Sequence, residues 1–164
     1  MFMKTTILKT SAIFLLLSLS MISCKQFNHG NQERHEQERR EKIKEKRAKA
    51  RQELYSMLPH VNRNFPLEAD EGVITTHVSF EGDNFTYHYQ IDENKISMDM
   101  IDLQKTELKE TMFEDGLDSD IKDTFKMIID AGMNLSVLYT GDTSGKQVEF
   151  VWSRKELRAL LRDN

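Results

Sequence analysis

The chain has 164 residues, the length of about one domain, with 23 basic against 27 acidic side chains and a formal net charge of −4. That balance argues against a nucleic-acid binder working through positive charge. A single cysteine excludes an internal disulfide framework and CxxC redox chemistry.

The first 24 residues read MFMKTTILKTSAIFLLLSLSMISC. Lys4 and Lys9 precede an apolar stretch from Ala12 to Ile22, and Ser20 and Ser23 place small side chains near its end. This is the layout of a secretory signal over residues 1–23, and about 11 apolar residues are too few to span a hydrocarbon layer of about 30 Å. Met21-Ile22-Ser23-Cys24 resembles the lipobox of bacterial lipoproteins, with Met21 where leucine is usual. The resemblance covers residues 1–24. It implies that the Cys24 thiol takes a diacylglyceryl group and that Cys24 leads the mature chain, so Cys24 is the expected lipid attachment point for fatty chains such as palmitate. Each buried methylene contributes about 0.8 kcal/mol, and several chains on one residue anchor stably. Lys25 stands where some bacteria read an aspartate as an inner-membrane retention signal. It favours the outer membrane of a bacterial cell envelope.

Charge then divides the chain. Residues 25–54 carry ten basic and six acidic side chains, whereas residues 55–152 carry seven and 19, a net of +4 against −12. The basic part, QERHEQERREKIKEKRAKARQEL, lacks Gly and Pro and is rich in helix formers. Glu36/Arg40, Glu38/Lys42 and Glu45/Lys49 are acid-before-base pairs four apart, each contributing about 0.2–0.5 kcal/mol. Ile43, Ala50, Leu54 and Met57 or Leu58 are too few for a coiled-coil seam, so only the C-terminal end has a face to bury. Residues 24–58 are therefore expected as a lipidated cysteine and a charged helical stalk that leans on anionic headgroups, with residues 31–58 as helix spanning roughly 42 Å at about 1.5 Å per residue. The glutamates and the exported context argue against nucleic acid as its partner.

Pro59 and Pro66 are expected to end the helix and open a globular domain over residues 59–164. VITTHVSF alternates with Ile74, Thr76, Val78 and Phe80 on one face. NFTYHYQI does the same with Phe85, Tyr87, Tyr89 and Ile91. Gly82-Asp83 between them suits a two-residue type II′ hairpin, which sets Phe80 against Phe85, Val78 against Tyr87 and Ile74 against Ile91. Met98, Ile101, Leu108 and Met112 repeat at helical spacing up to Asp115-Gly116. Leu117, Ile121, Phe125 and Ile128 repeat likewise, with Asp118 or Ser119 as N-cap and Gly132 at the C′ position. NLSVLYT and KQVEFVW form two further strands across GDTSG. In SRKELRALL, Ser153 and Glu156 fit a capping box and Trp152 and Leu157 a hydrophobic staple, which places Leu157, Leu160 and Leu161 on the core. The expected fold class is α+β: an N-terminal charged helix, then ββ-α(α)-ββ-α, with a four-stranded antiparallel sheet and helices on one face.

Motif chemistry is sparse. GDTSGK at 141–146 has three residues between its glycines and Gln147 after lysine, so it fails the Walker pattern. EDGLDSDIKD at 114–123 lacks the EF-hand ligand spacing, and its carboxylates suit a helix N-terminus. His77 and His88 face each other across the hairpin and are weak metal candidates, because neighbouring Thr75, Ser79, Thr86 and Gln90 supply no third ligand and only His60 lies near in sequence. The five methionines from Met98 to Met133 read as core filling, and Tyr87, Tyr89, Tyr139 and Trp152 as buried sheet positions. No HExxH, GxSxG or dinucleotide fingerprint occurs, and no cofactor is implied.

From residues 65 to 152 the chain is loosely similar to small exported bacterial domains of unassigned function, through Pro66, Asp70, Gly72, Thr86, Tyr87, Tyr89, Tyr139 and Gly145. These are turn and core residues, so the resemblance implies a fold and carries no catalytic residue. The expectation is a non-enzymatic, lipid-anchored binding or accessory domain whose partner is an envelope protein or cell-wall component. Two alternatives stand beside it: an inhibitor of a secreted hydrolase that inserts Gly82-Asp83 or Asp142 to Gly145, and an envelope enzyme with a site assembled only in three dimensions.

Overall fold

The structure, a computed structural model, describes the backbone of residues 4–113 and 116–163 and side chains from residue 32 onward. It comprises two compact units, Met1–Glu45 and Lys46–Asn164. Helix α1 (Lys4–Asn62) runs through the first unit. Residues 32–45 are exposed on every side, as a helical sequence without an apolar stripe must be. Arg40 pairs there with Glu36 at 3.4 Å.

In the second unit α1 acquires an apolar face. Leu54 is buried, and Ala50, Leu58 and Val61 pack against the core around it. The helix continues through Pro59 to Asn62 instead of ending at the proline. A helix-interior proline removes one backbone hydrogen bond, but Val61 holds the last turn on the core. Asn62 then spends its side-chain amide on β2 (Val73–Glu81), donating to the Val78 carbonyl at 2.9 Å and accepting from the Val78 N–H at 2.8 Å. One amide satisfies two strand-edge groups that would otherwise lack a ladder partner.

The sheet is larger than the sequence pattern implied. Its five strands are β1 (Leu67–Asp70), β2, β3 (Asn84–Ile91), β4 (Asn134–Gly141) and β5 (Gln147–Trp152), in that spatial order. The extra strand, β1, is exposed at all four positions and so shows no alternation to read. A second correction concerns direction: β3 and β4 pair in parallel, while the other neighbours are antiparallel. Parallel neighbours need a crossover long enough to return the chain to the same end of the sheet. Helices α2 (Met98–Leu103), α3 (Lys105–Thr111) and α4 (Ser119–Asp130) make that return. The first predicted helix is thus split, with Gln104 serving as the C-cap of α2 and the N-cap of α3.

The β2–β3 hairpin turns at Gly82, whose φ of +60° with no positive φ at Asp83 matches the type II′ requirement. Phe80 lies opposite Phe85 and Val78 opposite Tyr87, as expected, but a bulge between Thr75 and His77 sets Val73, not Ile74, against Ile91. A bulge inserts one residue and reverses which face later side chains take. Thr75 is consequently 5% exposed and Ile74 39%.

The core lies on one face of the sheet, where Val78, Phe85, Val137 and Phe150 join Phe125 and Ile128 of α4 and Leu157 of α5 (Arg154–Asp163). Met98 and Met133 are in it, whereas Met100 and Met127 are exposed. Asp118 caps α4, accepting from the Ile121 N–H at 2.8 Å. The helix closes in a Schellman motif, Met133 N–H to Ile128 carbonyl, with Gly132 at φ +71°. The capping box on α5 is complete: the Ser153 N–H donates to Glu156 Oε2 at 2.7 Å and the Glu156 N–H to Ser153 Oγ at 3.3 Å. Lys109, 2.7 Å away, and Ser153 together hold the Glu156 carboxyl down at about 2. Replacing Ser153 with alanine is expected to cost about 1 kcal/mol, read as a lower urea midpoint at unchanged m-value.

Candidate functional site

The core-facing register of β3 and β4 carries three tyrosines where aliphatic side chains would close the core. Tyr89 lies beside Tyr139 across the parallel ladder, with ring centroids 5.3 Å apart, and Tyr87 follows at 6.5 Å from Tyr89. They are half-buried, not enclosed as the sequence implied. Their rings, with Val137 and Leu135, floor a groove of about 770 Å³. Ile121 and Phe125 of α4 form its facing wall, and Met112 and Phe113 close one end. Phe113 is fixed edge-on between Phe125 and Trp152, with centroids 5.3 Å from each.

Polar groups are confined to particular positions. Asp118 and Asp120 stand at the start of α4, where the helix dipole favours carboxylates, and Asp70 of β1 lines the groove as well. Burial, with a smaller contribution from Tyr89, pushes the Tyr87 and Tyr139 hydroxyls up to about 12. Burial also raises Tyr89, partly offset by its hydrogen bond with Thr75. The phenols are therefore neutral hydrogen-bonding groups at any physiological pH. The described lining contains no histidine, cysteine or lysine. Such a surface can hold an apolar segment, hydrogen-bond it along one wall and receive a cation at the acidic positions.

His77 and His88 do meet across the hairpin, on the opposite face. They stack, with centroids 3.9 Å apart and planes within 10°. Stacked rings do not converge their nitrogens on one point, and no group of three His, Cys, Asp or Glu among the described residues is placed to hold a metal. His60 belongs to the last turn of α1. Ser79 Oγ lies 2.7 Å from His88 Nε2, and Glu81 Oε1 is 3.4 Å from that same nitrogen. A hydrolytic triad needs its carboxylate on the other ring nitrogen. This is a hydrogen-bonded cluster on an open sheet.

Both loop tips considered for insertion into a hydrolase are engaged within the domain. Arg51 Nη2 holds the Asp83 carboxylate at 2.6 Å, lowering its pKa through that bond and the guanidinium charge, while the Asp83 carbonyl accepts from the Asn134 N–H at 2.8 Å. Arg51 Nε also donates to the Ala131 carbonyl at 2.9 Å, so one guanidinium ties α1 to the hairpin and to the end of α4. In the other loop, Glu93 Oε2 accepts from the backbone N–H groups of Thr143 at 2.9 Å and Ser144 at 2.6 Å. Neither Arg51 nor Glu93 stood out in the sequence, because their partners lie far along the chain. Cys24 lies outside the residues whose side chains are described. Among the described residues no helix is long and apolar enough to cross a membrane.

No protein-family model matches the chain, and no curated protein is similar to it in sequence. Solved structures do share its fold. A secreted protein from Pseudomonas aeruginosa superposes with a TM-score of 0.55 at 9% identity, covering 69% of this chain and 96% of that one. The pilotin EpsS of the Vibrio vulnificus type 2 secretion system gives a TM-score of 0.50 at 10% identity, with coverage of 69% and 96%. The type II secretion pilotin AspS from Vibrio cholerae follows at 0.42 and 11% identity, with coverage of 70% and 97%. At these identities what the first two have in common with this chain is the fold.

Proposed function

We propose that this chain is a lipid-anchored, non-enzymatic accessory protein of the bacterial envelope whose groove receives an apolar segment of a partner envelope protein, flanked by basic side chains. The observation that carries the reading is the juxtaposition in one groove of three tyrosines, an apolar helix face and the carboxylates of Asp70, Asp118 and Asp120. Apolar area supplies the affinity, and the acidic positions select the partner's cationic end and speed encounter. The fold shared with a secreted protein and with a type 2 secretion pilotin supports an exported accessory role. Cys24 is the proposed point of lipid attachment after removal of residues 1–23, with residues 24–58 as anchor and stalk whose last turns pack into the core of the 59–164 binding domain through Ala50, Leu54 and Leu58, and Lys25 favouring the outer membrane.

Two measurements test this. A photo-crosslinking side chain at Tyr139, in intact envelopes, is expected to trap an envelope protein, and Asp70→Lys with Asp120→Lys to weaken capture about tenfold, equivalent to about 1.4 kcal/mol. Capture unchanged by those substitutions would remove the groove from the reading. Cys24→Ala is expected to move the protein from the membrane to the soluble fraction, with mass spectrometry of the wild type showing an acylated amino terminus. An unmodified terminus on membrane-free protein would end the anchor proposal.

A further inference from the structure

Behind the groove, on the outer face of β2 and β3, the His77 and His88 rings lie flat against each other at 3.9 Å. His77 is exposed, whereas the His88 side chain is only 15% exposed. The two rings have different side-chain partners. Thr76 Oγ1 donates to the His88 carbonyl at 3.1 Å, and its oxygen lies 3.1 Å from His77 Nδ1. With that hydroxyl proton committed to the carbonyl, His77 Nδ1–H is the donor to Thr76. Ser79 likewise commits its hydroxyl proton to Glu81 Oε1 at 3.2 Å, so His88 Nε2–H is the donor to Ser79 Oγ at 2.7 Å, and an added proton enters at Nδ1.

The charged groups facing the pair are few. Glu81 of β2 lies beside His88. The residue opposite His88 on β4 is Leu138, and beyond it Glu149 of β5 is engaged with Ser136 Oγ at 2.6 Å. One added proton therefore finds one carboxylate in reach. A second proton would set two like charges a ring's thickness apart, where they repel strongly.

Thr76, which links the His77 ring to the His88 main-chain carbonyl, sits in the bulge between Thr75 and His77. Thr75 is buried on the other face and hydrogen-bonds to Tyr89 in the groove floor. Strand β1, which contributes Ala69 and Asp70 to the groove, pairs with β2 at Val73 to Thr75. The ring pair and the groove wall are thus two residues apart along one strand.

We propose that the stacked His77–His88 pair is a proton-sensitive lock on the β2 bulge. With at least one ring neutral the stack keeps Thr76 in place. When both rings carry a proton they part, and the groove wall at Thr75 and Tyr89 shifts. The lock operates whatever occupies the groove. Burial first, and then the neighbouring His77 charge, hold the His88 pKa below its ordinary 6.5, with Glu81 opposing. A depressed folded-state value means that the unfolded chain binds more protons. The stabilisation contributed by neutral His88 is therefore present above pH 6.5 and is lost as pH falls through the lower folded-state value.

Imidazole and tyrosine ring NMR of the full-length protein in detergent micelles, titrated from neutral into acid, tests the lock. The expected result is that His88 protonates below its ordinary range and that Tyr89 ring signals move with the same midpoint. In His77→Gln the His88 midpoint should rise and the Tyr89 movement should vanish. If that variant fails to fold, His77→Phe keeps a stacked ring without a charge and is expected to give the same result. A His88 midpoint at or above the ordinary value, Tyr89 signals that stay still in the wild type, or a Tyr89 movement that persists in the variant that folds would overturn the proposal.

Discussion

Strands β3 and β4 lie side by side and run the same way, and the arrangement of the folded domain follows from that pairing. A parallel neighbour cannot be reached by a tight turn, so the chain must leave the sheet, cross a face and return. Here the crossing carries α2, α3 and α4, which brings Phe125 and Ile128 onto the core and leaves Asp118 and Asp120 at the start of α4. It also makes β3 and β4 central strands, so that Tyr87, Tyr89 and Tyr139 share one floor. A meander with an antiparallel β3–β4 pair would have placed these side chains in a different register.

The groove stays open because its floor is tyrosine. A phenol hydroxyl cannot be enclosed without a partner, and burial without one costs free energy. The three tyrosines are consequently half-buried, while Leu135 and Val137 beside them in the floor, and Phe150 and Trp152 nearby, are closed. The domain is held around that opening by contacts far apart in sequence: Arg51 to Asp83 and Ala131, Asn62 to Val78, Glu93 to the β4–β5 loop. Each uses a polar side chain to satisfy backbone groups or to fix a turn. This is why the loop tips that looked free for insertion are occupied.

The two faces of β2 and β3 are linked by the bulge at Thr76. It reverses the alternation of β2, burying Thr75 against Tyr89 while His77 stacks on His88 behind. Without it, Thr75 would face outward and the imidazoles would have no short path to the groove. The bulge is therefore the place where a change of charge on one face can be felt as a change of shape on the other.

Local pattern was enough for what neighbours in sequence decide. The Asp118 cap and the Ser153–Glu156 box depend on side chains reaching backbone three residues away. The type II′ turn at Gly82 and the Gly132 terminus depend on a glycine that takes a positive φ. Both kinds of signal are written in the chain. So are the Phe80–Phe85 and His77–His88 pairings, because a two-residue turn fixes register near itself. Beyond the bulge that register failed at Ile74, since an inserted residue leaves no mark in composition. Strand β1 and the direction of β4 were illegible for a related reason: an exposed strand has no alternation, and parallel and antiparallel strands share the same period. The tyrosines read as core because periodicity reports which face a side chain takes, not whether anything covers it. Only the packing of α4 across the sheet decided that.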